Sequence, residues 1–216
     1  MRLLKTGIAG LDEFLQGGLP PRVFLLLGPP GSGSDVFARQ VARTRAKEAG
    51  ITYFTVTRST DSIKEDMSTY GWQISSLEKA GNWRFATLTQ ADPLTDTVIG
   101  EMKQHRSIVL DSLSELTLTH TTQEIASLLN TMSVENRGHE ELHLVLMTEG
   151  MQDRKTEVTM QHFADGVIIF TTTEGTEVPA KHIMIKKIRG TSCPTRMLPY
   201  SIGEKGFTID TATRIT

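Results

Sequence analysis

The chain is poor in the features that mark several protein classes. It has a single cysteine, Cys193, among 216 residues. That excludes an internal disulfide and a zinc site built from clustered cysteines, and it fits a reducing compartment. No run of about 18 apolar residues occurs, so no membrane-spanning helix is expected. The first residues, MRLLKTGIAGLDEF, lose their apolar run at Lys5, Thr6 and Gly7 and do not form a secretory signal. Neither sign of charge is in excess: 23 Lys and Arg face 25 Asp and Glu, a net charge of -2. This excludes a global basic field for nucleic acid and an acidic solvating tail. No serine stands in a G-x-S-x-G frame, so no hydrolase nucleophile is indicated. A cytoplasmic location is the expectation.

What is present is ordinary globular material: 38% apolar and 22% charged residues, with 6% aromatics. The length suits one domain with a full core, and residues 1–216 are read as one domain. Residues 22–28, RVFLLLG, are almost continuously apolar, as in a strand buried on both faces of a parallel sheet. A glycine-rich turn, GPPGSGSD, follows at 28–35, and a helix is predicted over 36–49, stopped by Gly50. Strands are predicted over 51–57, 83–88, 107–111 and 142–147, and helices over 61–70, 94–105 and 122–136. Residues 166–172, 182–188 and 207–209 read as late strands without long helices between them. Strands alternating with helices, followed by a β-rich end, predict an α/β fold with a mostly parallel central sheet and a C-terminal antiparallel extension.

A strand, a glycine-rich turn and a helix are the context of a phosphate-binding loop, whose pattern is G-x-x-x-x-G-K-[ST]. Gly28 and Gly33 hold its two glycine positions, with Pro29, Pro30, Gly31 and Ser32 between them. Backbone N–H groups there and the helix start can point at an anion. The two side chains that follow are altered. Ser34 stands where the pattern has lysine, and Asp35 where it has the Mg2+-binding Ser or Thr. Two like charges near 4 Å repel by about 4 kcal/mol at an effective dielectric of 20. A micromolar site is worth only about 8 kcal/mol, so Asp35 facing a phosphate pushes affinity toward millimolar. A carboxylate there is also a hard-cation ligand.

Five segments in order carry a resemblance over nearly the whole chain. They are TGIAGLDEFLQGGLP at 6–20, GPPGSGSD at 28–35, SIVLDSLSEL at 107–116, HFADGVIIF at 162–170 and KKIRGTSCPTRMLPYSIGEKGFTI at 186–209. Together they resemble the RecA-superfamily proteins related to KaiC and the archaeal RadA paralogs. The resemblance implies a RecA-like fold, ATP or ADP as ligand, and rings or filaments with nucleotide between subunits. Asp111 matches the aspartate that holds Mg2+ through water, and it ends a strand where ligand-facing residues of parallel sheets sit. Thr57 and Arg58 match the pair of glutamates of which one activates water; a one-residue slip gives Arg58 and Ser59. None of these is a base at neutral pH. Lys187 and Arg189 match two cations that reach a neighbouring subunit's nucleotide, and their spacing puts them on one side of a strand.

Lysine, Mg2+ ligand and catalytic base are thus all replaced. The expectation is a degenerate P-loop protein without ATP hydrolysis, with weak or no nucleotide binding and no firm Mg2+ site. It acts through homo- or hetero-oligomer assembly with RecA/KaiC-like subunits or through partner binding. One alternative is a DNA-binding recombination mediator, since residues 181–196 hold five Lys and Arg and no Asp or Glu. Another is a residual ATPase with relocated catalytic groups. His139 and His143, four apart, are half a metal face on a helix, but strand character over 142–147 breaks that spacing, and both read as surface histidines. Cys193 reads as a loop residue without a neighbouring base, and Trp72 and Trp83 as core or interface.

Overall fold

The computed structural model describes residues 2–173, 179–191 and 196–210. Nine strands form one sheet: β1 (Val23–Gly28), β2 (Gly50–Thr55), β3 (Trp83–Thr87), β4 (Arg106–Asp111), β5 (His143–Thr148), β6 (Gly166–Thr173), β7 (Ala180–Ile188), β8 (Leu198–Gly203) and β9 (Gly206–Ile209). Their order is β3-β2-β4-β5-β1-β6-β7-β8-β9. Pairings from β3 to β6 are parallel and those from β6 to β9 antiparallel. The helices are α1 (Leu11–Phe14), α2 (Ser34–Arg45), α3 (Thr60–Thr69), α4 (Ser75–Lys79), α5 (Leu94–Met102), α6 (Leu113–Leu116), α7 (Thr122–Glu135) and α8 (Arg154–Phe163). This is the α/β architecture expected, a large mostly parallel sheet with an antiparallel C-terminal end. No helix among the described residues is long and apolar enough to cross a membrane.

The strand β1 is buried along its whole length because successive side chains feed two cores. Phe24 and Leu26 join Phe37, Val41, Tyr53, Ile63 and Val109 on the face covered by α2 and α3. Val23, Leu25 and Leu27 join Val98, Ile125, Leu129 and Met160 on the face covered by α5, α7 and α8. Trp72 and Trp83 are both buried in the first of these cores.

Several elements differ from the sequence-based expectation. The helix α2 begins at Ser34, two residues early, because Gly33 takes the left-handed conformation (φ 83) at its N-cap. A Cβ on Gly33 would collide with Ile202 of β8. Strand β2 ends at Thr55, which leaves Thr57 and Arg58 in the connection to α3. Strand β8 and helices α1, α4, α6 and α8 are additional; of these helices α8 is the longest. Only Thr156 and Met160 of α8 are buried, so it lacks the apolar stripe that reveals a helix. Helix α7 begins with a capping box in which the Thr121 side chain and Glu124 satisfy each other's backbone donors. Cys193, read as a loop residue, lies outside the described residues.

His143 is not a surface residue. It is 1% exposed at the start of β5. Its Nδ1 accepts from the Ile108 N–H at 3.1 Å, and its Nε2 donates to Asn136 Oδ1 at 3.1 Å. Both nitrogens are spent on a neutral ring, and burial pushes the imidazole from 6.5 down to about 3, with His139 adding to the effect. Below pH 6.5 the unfolded chain takes up a proton that the folded chain refuses, so stability falls as pH drops from about 6.5 toward 3. The slope approaches about 1.4 kcal/mol per pH unit. Urea titrations at several pH values will show the wild type losing stability on acidification relative to His143→Asn; parallel curves would refute the assignment.

Candidate functional site: the phosphate loop and the carboxylate of β4

The loop from Gly28 to Gly33 leaves the carboxyl end of β1 and enters α2. Pro29 and Pro30 carry no N–H, so two of its peptide positions offer nothing to an anion. The Ser32 N–H turns inward to the Pro29 carbonyl at 3.1 Å. The loop is held from the antiparallel end of the sheet. Tyr200 donates its hydroxyl to the Ser32 carbonyl, and Lys181 of β7 donates to the Gly31 carbonyl at 2.8 Å. A cation therefore stands at the loop tip, supplied by β7 and not by position 34. Gly28 has no room for a side chain, since a Cβ would come within 2.8 Å of both Phe170 and Ser32.

Asp111 ends β4, and its register partner on β2 is Thr55. Tyr53 lies two residues back on β2 and therefore on the same face, within diagonal reach of an aromatic side chain. The Tyr53 hydroxyl donates to Asp111 Oδ2 at 2.6 Å. Helix α2 lies over the same face. Its Asp35 and Arg39 are one turn apart, and the Arg39 side chain, 2% exposed, points down onto the sheet. Arg39 Nε donates to the Tyr53 oxygen at 3.3 Å. Its Nη2 faces Asp111 Oδ2 at 3.6 Å, and its Nη1 lies 3.2 Å from Asp35 and 3.3 Å from Asp66 of α3. Asp66 also takes Arg58, at 2.6 Å.

Burial sets the electrostatics. It lifts Asp111 above the usual carboxylate range, against the hydrogen bond from Tyr53 and the charge of Arg39, which pull it down. Burial likewise raises Tyr53, helped by the Asp111 charge. Arg39 is desolvated, but the charges of Asp35 and Asp111 and the hydrogen bond to Tyr53 outweigh that penalty and hold it charged. Counting formal charges, Arg39 and Arg58 contribute +2 and Asp35, Asp66 and Asp111 contribute -3, a sum of -1 before any ligand arrives.

The structure thus brings Asp35, Arg58 and Asp111 into one network and adds Arg39, Tyr53 and Asp66, which the sequence reading did not single out. The i, i+4 spacing of Asp35 and Arg39 was the available signal. Thr57 donates its hydroxyl to Glu115 of α6, a fourth residue absent from the sequence-based set.

Lys187 and Arg189 lie elsewhere. Ile188 pairs with Gly166, at the end of the sheet away from the phosphate loop. Lys187 Nζ donates to the carbonyls of Gln161, His162 and Ala164 at 2.7 to 2.9 Å and closes the C-terminus of α8. Arg189 pairs with buried Asp165 at 2.9 Å and donates to Ser133. Lys186 donates to Gln161. Four of the five cations in the basic stretch 181–196 are therefore bonded within the chain.

A fold and a strand–loop–helix site of this kind define a RecA-type P-loop domain, and comparison with known proteins agrees. The KaiC ATPase family pattern, "ATPase: KaiC", matches residues 4–214. The chain belongs to the KaiC family of ATPases. It is 24% identical to UPF0273 protein MJ1359 of Methanocaldococcus jannaschii, over 97% of this chain and 96% of that protein. It is 26% identical to the circadian clock protein KaiC3 of Synechocystis sp., over 95% of this chain and 45% of that one. Its fold matches the crystal structure of the KaiC-like protein PH0186 from Pyrococcus horikoshii, with a TM-score of 0.81, 22% identity, and 97% and 99% of the two chains covered.

Removing one partner of a buried ion pair costs about 3 to 5 kcal/mol. Arg39→Leu will destabilise the chain by about that amount at pH 7.5. The double variant Arg39→Leu/Asp111→Asn will recover a large part of it, because the stranded carboxylate is gone. Urea unfolding of the four members of the cycle measures the coupling; strictly additive effects would refute the pairing.

Proposed function

We propose that this chain is a KaiC-family protein that has given up ATP hydrolysis and works through assembly with RecA/KaiC-like subunits, homo- or hetero-oligomeric, or through another protein partner. One observation carries the reading. Asp111, at the position that holds Mg2+ in the family, accepts the Tyr53 hydroxyl and lies beside the buried Arg39 guanidinium. An internal cation thus occupies the electrostatic role of the metal. The residues present do not fit a Mg2+–nucleotide complex. Ser34 offers no positive charge, Asp35 adds a negative one, and Arg58 spends its guanidinium on Asp66. Lys181 at the loop tip is the remaining attraction for a phosphate, which supports weak nucleotide binding.

The bonds of the basic stretch favour assembly over DNA binding, because Lys187 and Arg189 are held by partners inside the chain, Lys187 on the carbonyls that end α8 and Arg189 on Asp165. Of the two candidate inter-subunit cations, Lys187 is committed to the end of α8. Arg189 is paired with Asp165 but keeps 46% of its side chain exposed, so of the two it is the one that also presents surface to a neighbour.

Calorimetric titration with ATP and ADP, with and without Mg2+, tests the reading. It predicts no saturation below about 1 mM, a dissociation constant equivalent to only about 4 kcal/mol, and no phosphate release above the spontaneous rate. Micromolar binding that requires Mg2+ would refute it. One observation favours a residual ATPase instead: Glu115 accepts a hydrogen bond from Thr57, at the position of the family's catalytic glutamates. ATP turnover abolished by Glu115→Gln would replace the first reading with that one.

A further inference from the structure

Outside the phosphate-loop network, two turns bring three nitrogen and oxygen ligands together. His105 ends the turn between α5 and β4, in a left-handed conformation (φ 54). His139 and Glu141 lie in the connection from α7 to β5, beyond a 3-10 turn at Asn136–Gly138. One ligand atom from each of the three lies within 4.8 Å of the other two. The Nδ1 atoms of His105 and His139 are 3.2 Å apart. His105 Nδ1 is 3.6 Å from Glu141 Oε1.

We propose that His105, His139 and Glu141 form a zinc-binding site. Tetrahedral zinc holds imidazole nitrogen and carboxylate oxygen at about 2.0 to 2.2 Å, which sets neighbouring ligand atoms roughly 3.3 to 3.5 Å apart. The distances between these residues already bracket that spacing. A hydrogen bond between the two rings accounts for the 3.2 Å contact but not for the rest of the site. Glu141 Oε2 is buried and has no hydrogen-bond partner among the described residues. A carboxylate oxygen withdrawn from water without a donor is costly, and a cation held by the same carboxylate through Oε1, the atom that faces His105, offsets that cost by neutralising the group. The His139 Nε2, which would not touch the metal, faces Glu135 at 3.5 Å. That is the carboxylate–histidine–metal arrangement that orients a ligating ring.

Two imidazoles and one carboxylate select a borderline metal such as Zn2+ over Mg2+ or Ca2+, which take oxygen ligands. Three protein ligands leave a fourth position for water or an outside group, and His105 is 70% exposed, so this position opens to solvent. The site joins the turn before β4 to the connection before β5, at the sheet end opposite Asp111. It is independent of the nucleotide question.

The test uses the full chain stripped with a chelator. Titration with ZnCl2 should give one ion per chain with a dissociation constant of about 1 μM or below, and Co2+ should give the intense visible absorption of a tetrahedral site. The His105→Ala/His139→Ala variant should bind at least 100-fold more weakly, and Glu135→Gln about tenfold more weakly. Melting curves of the metal-free proteins check that the variants fold, and the Co2+ spectrum of the wild type tests the geometry without any variant. Undetectable zinc binding at these concentrations, a weak octahedral Co2+ spectrum, or undiminished zinc binding by the double variant would overturn the proposal.

Discussion

The arrangement at the carboxyl ends of β2 and β4 depends on one buried guanidinium. Arg39 is almost fully withdrawn from water, and such a charge is tolerated only when paired and hydrogen-bonded. Its partners come from four elements that the fold must bring into register: Asp35 on α2, Tyr53 on β2, Asp111 on β4 and Asp66 on α3. Their convergence fixes α2 and α3 on the sheet. It also places a guanidinium 3.6 Å from the Asp111 carboxylate, which accepts the Tyr53 hydroxyl as well.

The two ends of the sheet carry different chemistry. At the carboxyl ends of β1, β2 and β4 lie the phosphate loop, Asp111 and the Arg39 network. At the opposite end, Lys187 closes α8 and Arg189 is paired with Asp165. His143 ties the entry of β5 to β4 and to Asn136. The wall of this second end is therefore built from polar groups that bond one connection to the next. Within the stretch rich in lysine and arginine, these bonds tie Lys187 and Arg189 to the chain's own carbonyls and to Asp165.

Much of the architecture was legible from periodicity. The apolar run of β1 and the alternation of strands and helices define a parallel sheet, because only strands covered on both faces read that way. The glycine-rich turn located the loop, and Asp111 stood at a strand end where a site residue belongs. The family match over residues 4–214 bears out the KaiC-like relationship that five short segments pointed to. What stayed hidden was tertiary. An arginine in the middle of a helix carries no mark of facing inward, and only the packing of α2 over Tyr53 turns Arg39 into the centre of a network. Thirty-four residues separate His105 from His139, and no local pattern joins them. Helix α8 escaped notice because it buries two side chains, and β8 because Pro199 and Gly203 read as turn residues although Leu198, Tyr200 and Ile202 alternate.

The most direct test of the central claim is the nitrogen NMR signal of the Arg39 Nε–H, assigned by comparison with an Arg39→Lys variant. A guanidinium locked between Tyr53 and Asp111 gives a slowly exchanging resonance that stays in place when millimolar Mg2+ and ATP are added. A resonance that exchanges as fast as a surface arginine, or that shifts with saturation as Mg2+–ATP is titrated in, would contradict the account.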